Sequence, residues 1–194
     1  SAERKMVNEI NRTRSRKDTL GGSFIVVING VPPGLGNHIQ WDTRLDGRLA
    51  QSIMSIPAIK AVEIGAGSQV AGMFGSEVHD EIYYTSQRGF YRKTNRAGGI
   101  EAGISNGENI VIKAAMKPIP SLLKPLRSVD IKTKKQVLAE IIRSDICAVP
   151  AASIVGEAVS ALELTRAMLI KFGGDALTET MTNYRNYLAA IRRI

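Results

Sequence analysis

At 194 residues with 44% apolar content and mean hydropathy near zero, the chain has the composition of a soluble globular domain with a sizeable core. No apolar run approaches the ~20 residues of a membrane span, and the single cysteine, Cys147, excludes an intrachain disulfide and argues for a reducing compartment. The net charge of +8 suits a solvated basic surface or attraction of small anions; 5% aromatic content and the lack of a stacking pattern argue against nucleic acid.

Residues 2–17 have the spacing of an amphipathic helix with Met6, Val7 and Ile10 on one face, ended by Gly21 and Gly22. Residues 24–28, FIVVI, are a near-continuous β-branched run, the pattern of a strand buried on both faces. Pro32, Pro33 and Gly34 then stop regular structure. Leu45, Leu49 and Ile53 predict a helix over 45–54, with Asp42 or Thr43 as its N-cap. Strands are expected at 62–64 and 81–85, with a mobile glycine-rich loop between them.

Asn106-Gly107 lies between Ile104 and the alternating run from Ile110. That placement fits a type I′ hairpin turn, whose two central residues take positive φ. Just before it, Gly98, Gly99 and Gly103 leave backbone uncovered, where a flat or phosphorylated ligand can approach. A strand over 110–116 ends at Pro118 and Pro120, and 128–131 with 137–142 read as a further strand pair. Residues 150–171 form the strongest helix. Its apolar residues, among them Ile154, Val155, Leu162 and Leu169, cover more than one face, as in a helix packed between layers. Gly173 and Gly174 end it, and Asp175 is placed to cap a final helix running towards Arg192. This order of elements predicts an α+β layered fold.

Few residues announce chemistry by themselves. His38 and His79 are the only histidines, and on a strand His79 and Asp80 would point to opposite faces. Glu77, His79 and Asp80 are too few and too close for a zinc site, so no metal is expected. No dinucleotide or Walker glycine motif is present.

Three longer segments are more specific: TNRAGGIEAGISNG at 94–107, KPIPS at 117–121 and RSDICAVP at 143–150. With GVPPGLG at 30–36, DGRLAQSIMSIPAIKAVEIG at 46–65 and SEVHDEI at 76–82, they closely resemble the C-terminal half of chorismate synthase. The resemblance covers nearly the whole chain. It implies half of a β-α-β sandwich with internal pseudo-symmetry, antiparallel strands packed on long helices. The family's first half carries a GESHG-type signature, a second catalytic histidine and an arginine-rich FMN-phosphate segment, and none occurs here. The expectation is therefore that 1–194 is one folding unit of a longer enzyme, inactive alone.

The resemblance further implies an FMN-dependent carbon–oxygen lyase at the last step of the shikimate pathway. Such an enzyme converts 5-enolpyruvylshikimate 3-phosphate to chorismate and phosphate. Reduced FMN is required although the reaction is redox-neutral, with NADPH as a source of reducing equivalents. A cytoplasmic homotetramer is implied at full length, with neither nucleic acid nor membrane as partner.

Carried over position by position, Lys117, Pro118, Ile119, Pro120 and Ser121 match a flavin-contacting loop. Lys117 can pair with an anionic group, Ser121 offers a hydroxyl, and the prolines stiffen the turn. Read alone, the same pentapeptide is an ordinary strand exit. Arg143, Ser144 and Asp145 match the family's RSD or RHD segment. Arg143 can grip a phosphate or carboxylate through two parallel bonds, and Asp145 is the catalytic candidate, placed to accept or relay a proton near the flavin N5. The bland alternative is a surface Arg–Asp pair worth ~0–1 kcal/mol. Cys147 reads as a small buried residue, and Ala148 stands where a helix N-terminus can present amides to an anion.

Pro57 and Ala58 match a flavin position at which asparagine often precedes the alanine; Pro57 has no donor and can contribute only packing or a carbonyl. Ala102 occupies a cofactor position usually held by glycine. A second reading, a non-catalytic oligomerisation module docking through its apolar helices, remains open to patterning alone. It gives no reason for the three motifs to occur together.

Overall fold

The computed structural model describes residues 1–193. Its centre is a three-stranded antiparallel sheet of β1 (Gly22–Ile28), β7 (Ile110–Met116) and β2 (Ile59–Ile64), in the order β1-β7-β2. Strand alternation sends Phe24, Val26, Ile110, Ile112 and Ala114 to one face. There they meet Leu45, Leu49 and Ile53 of α2 (Leu45–Met54) and the inner face of α4 (Val149–Phe172). The other sheet face is open: Ile25 and Val27 are 60% and 52% exposed. The 24–28 run is thus buried on one face only in this chain, although its sequence is apolar on both.

The inner face of α4 is made of small residues, Ala152, Gly156, Ser160 and Ala167, with the buried Glu163. Close approach requires this. A Cβ on Gly156 would lie 2.7 Å from the Phe24 ring. Glu163 is held by Arg48 at 3.1 Å and Arg166 at 2.6 Å. The outward face keeps Val155, Leu162 and Leu169 exposed, so the expected packing of α4 between two layers is met on one side only. α5 (Leu177–Ile191) folds back beside the end of α4, where Phe172 meets Tyr184 and Tyr187 edge-on at 5.3 and 5.5 Å.

Smaller elements surround this core. α1 (Ala2–Ser15) leads in. Two further hairpins pair β3 (Ile82–Thr85) with β4 (Gly89–Arg92), and β8 (Arg127–Val129) with β9 (Gln136–Leu138). β4 was not evident from patterning, and β8 and β9 are shorter than the expected pair. The segment expected as a mobile loop holds a 3-10 turn at Gly67–Gly72 and a helical turn, α3, at Gly75–Val78. His79 follows that turn rather than lying on a strand.

Two caps differ from expectation. Arg44 stands at the N-cap of α2 without a side-chain cap, because Trp41–Thr43 form a 3-10 turn just before it. At α5 the cap position is Ala176, and Glu179 reaches back to accept from the Asp175 amide at 2.8 Å.

The type I′ geometry also sits elsewhere. It belongs to Ala102-Gly103, with φ of 51° and 82°, joining β5 (Ile100–Glu101) to β6 (Ile104–Ser105). Asn106 instead accepts the Glu108 amide at 2.9 Å through its side chain, a local turn that competes with hairpin geometry. Gly98, Gly99 and Gly103 are buried, not open to a ligand. A Cβ on Gly98 would lie 2.3 Å from the Gly65 nitrogen, so that glycine serves backbone-to-backbone packing.

Candidate functional site

Antiparallel register brings three chain ends abreast. Gly22 begins β1 opposite Met116, the last residue of β7, and Met116 also faces Ile59, the first of β2. Whatever follows Met116 and precedes Ile59 must therefore meet at one edge of the sheet. Those segments are Lys117 to Ser121 and Pro57-Ala58, and the Lys117 amide donates to the Ala58 carbonyl at 2.9 Å. Ala58 takes φ of 69°, unusual for a residue with a Cβ.

The linker between α1 and β1 fastens the rest. Thr19, 8% exposed, donates its hydroxyl to the Ile119 carbonyl at 2.6 Å. The next amide, Leu20, donates to the Ile146 carbonyl at 2.7 Å. Ser144 closes the set by donating to the Ser121 carbonyl at 2.7 Å. Segments 117–121 and 143–148 thus lie side by side although more than twenty residues separate them.

α4 starts in the same place. Ala148 is its N-cap, no side chain caps it, and Pro150 lies in its first turn. The first amides of the helix thereby stay available to an anion. Val149 packs on the start of β1, within 3.3 Å of where a Cβ on Gly22 would stand. Lys117, Arg143 and Asp145 are all exposed here. Among the described residues Arg143 and Asp145 form no ion pair, so the guanidinium and the carboxylate are each free for a ligand. The arrangement offers two cations, helix-terminal amides, a hydroxyl and one carboxylate around a single edge.

Ala102 is the exception. Its hairpin is tied to the opposite end of the sheet, where the Leu45 amide donates to the Gly103 carbonyl at 2.9 Å and Ile28 pairs with Ile110. The length of β7, about 20 Å at ~3.4 Å per residue, separates it from Lys117. The structure brings together every other candidate residue but leaves Ala102 apart within this chain.

Two organising residues were missed by sequence reasoning. Thr19 lies in a short polar linker with no periodicity to mark it. Asp80, buried, accepts from the Thr94 hydroxyl at 2.5 Å and from the Arg96 and Ala97 amides at 2.9 Å each. Burial alone would raise the Asp80 pKa; the Ala97, Thr94 and Arg96 donations, with the charge of Arg92, outweigh it and hold the carboxyl below its ordinary range. Asp80 thereby shapes the TNRAGG segment. The sequence sets Asp80 beside His79 and Glu77, a grouping that argues for neither a catalytic pair nor zinc, and gives no sign of the amides that Asp80 accepts. Both histidines are exposed, and among the described residues no group of three His, Cys, Asp or Glu is placed to hold a metal. No described helix is long and apolar enough to cross a membrane.

Comparison with known proteins agrees with this architecture. The family model for chorismate synthase matches residues 1–169. The chain is 57% identical to the chorismate synthase of Geotalea uraniireducens, covering 99% of this chain and 51% of that protein. It is 58% identical to that of Desulforamulus reducens, covering 100% of this chain and 50% of that protein. A crystal structure of chorismate synthase superimposes with a TM-score of 0.83 at 43% identity, over 98% of this chain and 50% of the other. The chain spans about half the length of the curated relatives it matches, their C-terminal half. A mixed fold of antiparallel sheets and helices, with matches of this extent, means that the chain belongs to the chorismate synthase family.

Proposed function

We propose that this chain supplies one half of an FMN-dependent lyase that converts 5-enolpyruvylshikimate 3-phosphate to chorismate and phosphate. The observation that carries the reading is the convergence of Ala58, Lys117, Ser121, Arg143 and Asp145 around the uncapped start of α4. These residues fit a flavin. Lys117 and Arg143 are exposed cations for its anionic groups, and the backbone beside Ala58 and Lys117 is fixed by the bond between them. When bound, reduced FMN supplies an electron transiently, which promotes loss of phosphate.

The protein groups have separate tasks. Arg143 orients a phosphate or carboxylate bidentately, and the α4 amides add partial positive charge to the same region. Pro118 and Pro120 stiffen the loop carrying Lys117 and Ser121, while Thr19 and Ser144 hold its carbonyls in place. The Asp145 carboxylate takes or relays the proton released in the elimination. The complete enzyme is assigned to the cytoplasm and to a homotetramer, with NADPH as the reductant for its flavin.

In the complete enzyme, Asp145→Asn tests this. Turnover should fall ~10²–10⁴-fold, the usual worth of positioned proton transfer, while FMN titration shifts little. Unchanged turnover would remove Asp145 from the chemistry, and normal FMN binding by Lys117→Ala would remove the 117–121 loop from the flavin site.

A further inference from the structure

A cavity lies away from this edge, where the GVPPGLG loop crosses the far end of α4. It has a volume of about 160 Å³, and its lining includes Asn37, Leu45, Arg48, Ala167, Ile170 and Lys171. The walls are divided by chemistry. Leu45, Ala167 and Ile170 make an apolar side, while Arg48, Lys171 and Asn37 bring only donors free for a ligand. No lining residue is a carboxylate.

The two cations differ in how they are held. Arg48 spends its Nε on Glu163 at 3.1 Å, and its two terminal nitrogens make no hydrogen bond among the described residues. Glu163 also serves Arg166, so its charge is already shared. Lys171 forms no ion pair among the described residues and lies 4.3 Å over the Tyr187 ring. Tyr187 is itself anchored, donating its hydroxyl to the Pro33 carbonyl at 2.9 Å. Gly34 makes this possible: a Cβ there would stand 3.1 Å from Lys171 Nζ and 2.5 Å from the Tyr187 hydroxyl. A lysine in the last turn of a helix is common for dipole reasons. That alone does not explain the close approach of the loop at Gly34, nor a second cation, Arg48, lining the same cavity.

The geometry points to a binding site for a small monocarboxylate with a compact apolar body, its carboxylate between Arg48 and Lys171 and its body on Leu45, Ala167 and Ile170. The volume suits this size, since an apolar cavity of ~150 Å³ accommodates a benzene ring. Inorganic phosphate would satisfy the cations but leave the apolar wall without a partner. A neutral analogue would fill the wall but leave the cations without a counter-charge. The site is independent of the flavin reading, because it shares no residue with the 57–58, 117–121 or 143–148 cluster.

Isothermal titration of the 194-residue chain with benzoate, benzamide and inorganic phosphate tests the proposal. Benzoate should bind one-to-one with a dissociation constant of about 1 mM, as expected for a ligand of so few atoms. Lys171→Met should weaken it about tenfold, the worth of one charge-assisted bond, whereas Lys171→Arg retains it. Lys171 is exposed, so both variants should fold, which a circular dichroism melt checks. Benzamide or phosphate binding as tightly as benzoate, full affinity in Lys171→Met, or no saturable benzoate binding would each overturn the assignment.

Discussion

Removing the Asp80 carboxylate should loosen the TNRAGG segment more than any single change on the surface. In Asp80→Ala, the Thr94 hydroxyl is exposed enough to bond water, but the half-buried Arg96 and Ala97 amides lose their acceptor. Each unsatisfied buried donor costs about 1–3 kcal/mol; at about 1–2 kcal/mol for each of these two half-buried amides, the loss is about 2–4 kcal/mol. For a domain of this size each kcal/mol moves Tm by about 2–4 °C, giving a drop of roughly 5–15 °C. Asp80→Asn keeps one oxygen for Thr94 and Arg96 but turns an NH2 group towards the Ala97 amide, so it loses that bond as well as charge assistance, costing about 1–3 kcal/mol. The pH dependence gives an independent check. Because the folded Asp80 pKa is depressed from 3.8, its stabilisation is full above that value and is lost as pH falls through the folded one. Melts followed by circular dichroism should therefore show wild type and Asp80→Asn converging below about pH 4. An Asp80→Ala melt within a degree of wild type at pH 7 would refute the reasoning. A wild-type advantage over Asn that persists in acid would do the same.

Three further outcomes are expected. The chain by itself should give no chorismate in an anaerobic assay with reduced FMN and substrate, because both of its histidines lie outside the candidate site; ordinary turnover would contradict this. Val155, Leu162 and Leu169 stand seven residues apart and form one exposed stripe on α4, so the chain should self-associate in a light-scattering dilution series, and Leu162→Glu should shift it to monomer. Ala102 is exposed in its turn and takes φ of 51°, so Ala102→Asn should stabilise by about 0.5 kcal/mol, read as a Tm rise of ~1–2 °C, and a fall would mean its methyl is needed.

Local periodicity made the helices legible. Leu45, Leu49 and Ile53 define α2 to its ends, and Gly173 stops α4 one residue after Phe172. What periodicity could not say is how many faces are covered. The 24–28 run and α4 are apolar on sides that this chain leaves exposed, and burial depends on partners that a segment's own pattern does not name. Turn chemistry misled for a related reason. Asn106-Gly107 is the stronger hairpin dipeptide, yet its side chain bonds locally, and the tight turn falls to Ala102-Gly103, where the β5–β6 register demands it. Capping at α2 and α5 was likewise settled by the preceding turn and by Glu179, neither of which a one-position preference can weigh.

The candidate site follows a different logic. Its segments were recognisable by resemblance, but nothing in their spacing places Ala58 beside Lys117 or Ser144 beside Ser121. The sheet does that, by aligning Gly22, Met116 and Ile59 in one row. The linker residue Thr19 then joins the row to the 117–121 loop, a contact across one hundred residues that only the fold creates. Ala102 stands apart from the row. It belongs to the same motif set, yet β7 holds it roughly 20 Å from Lys117. If Ala102 contacts the same cofactor as Lys117, that contact must be completed by something other than this cluster. The remaining half of the enzyme or a second subunit would then have to bridge the two ends of the sheet.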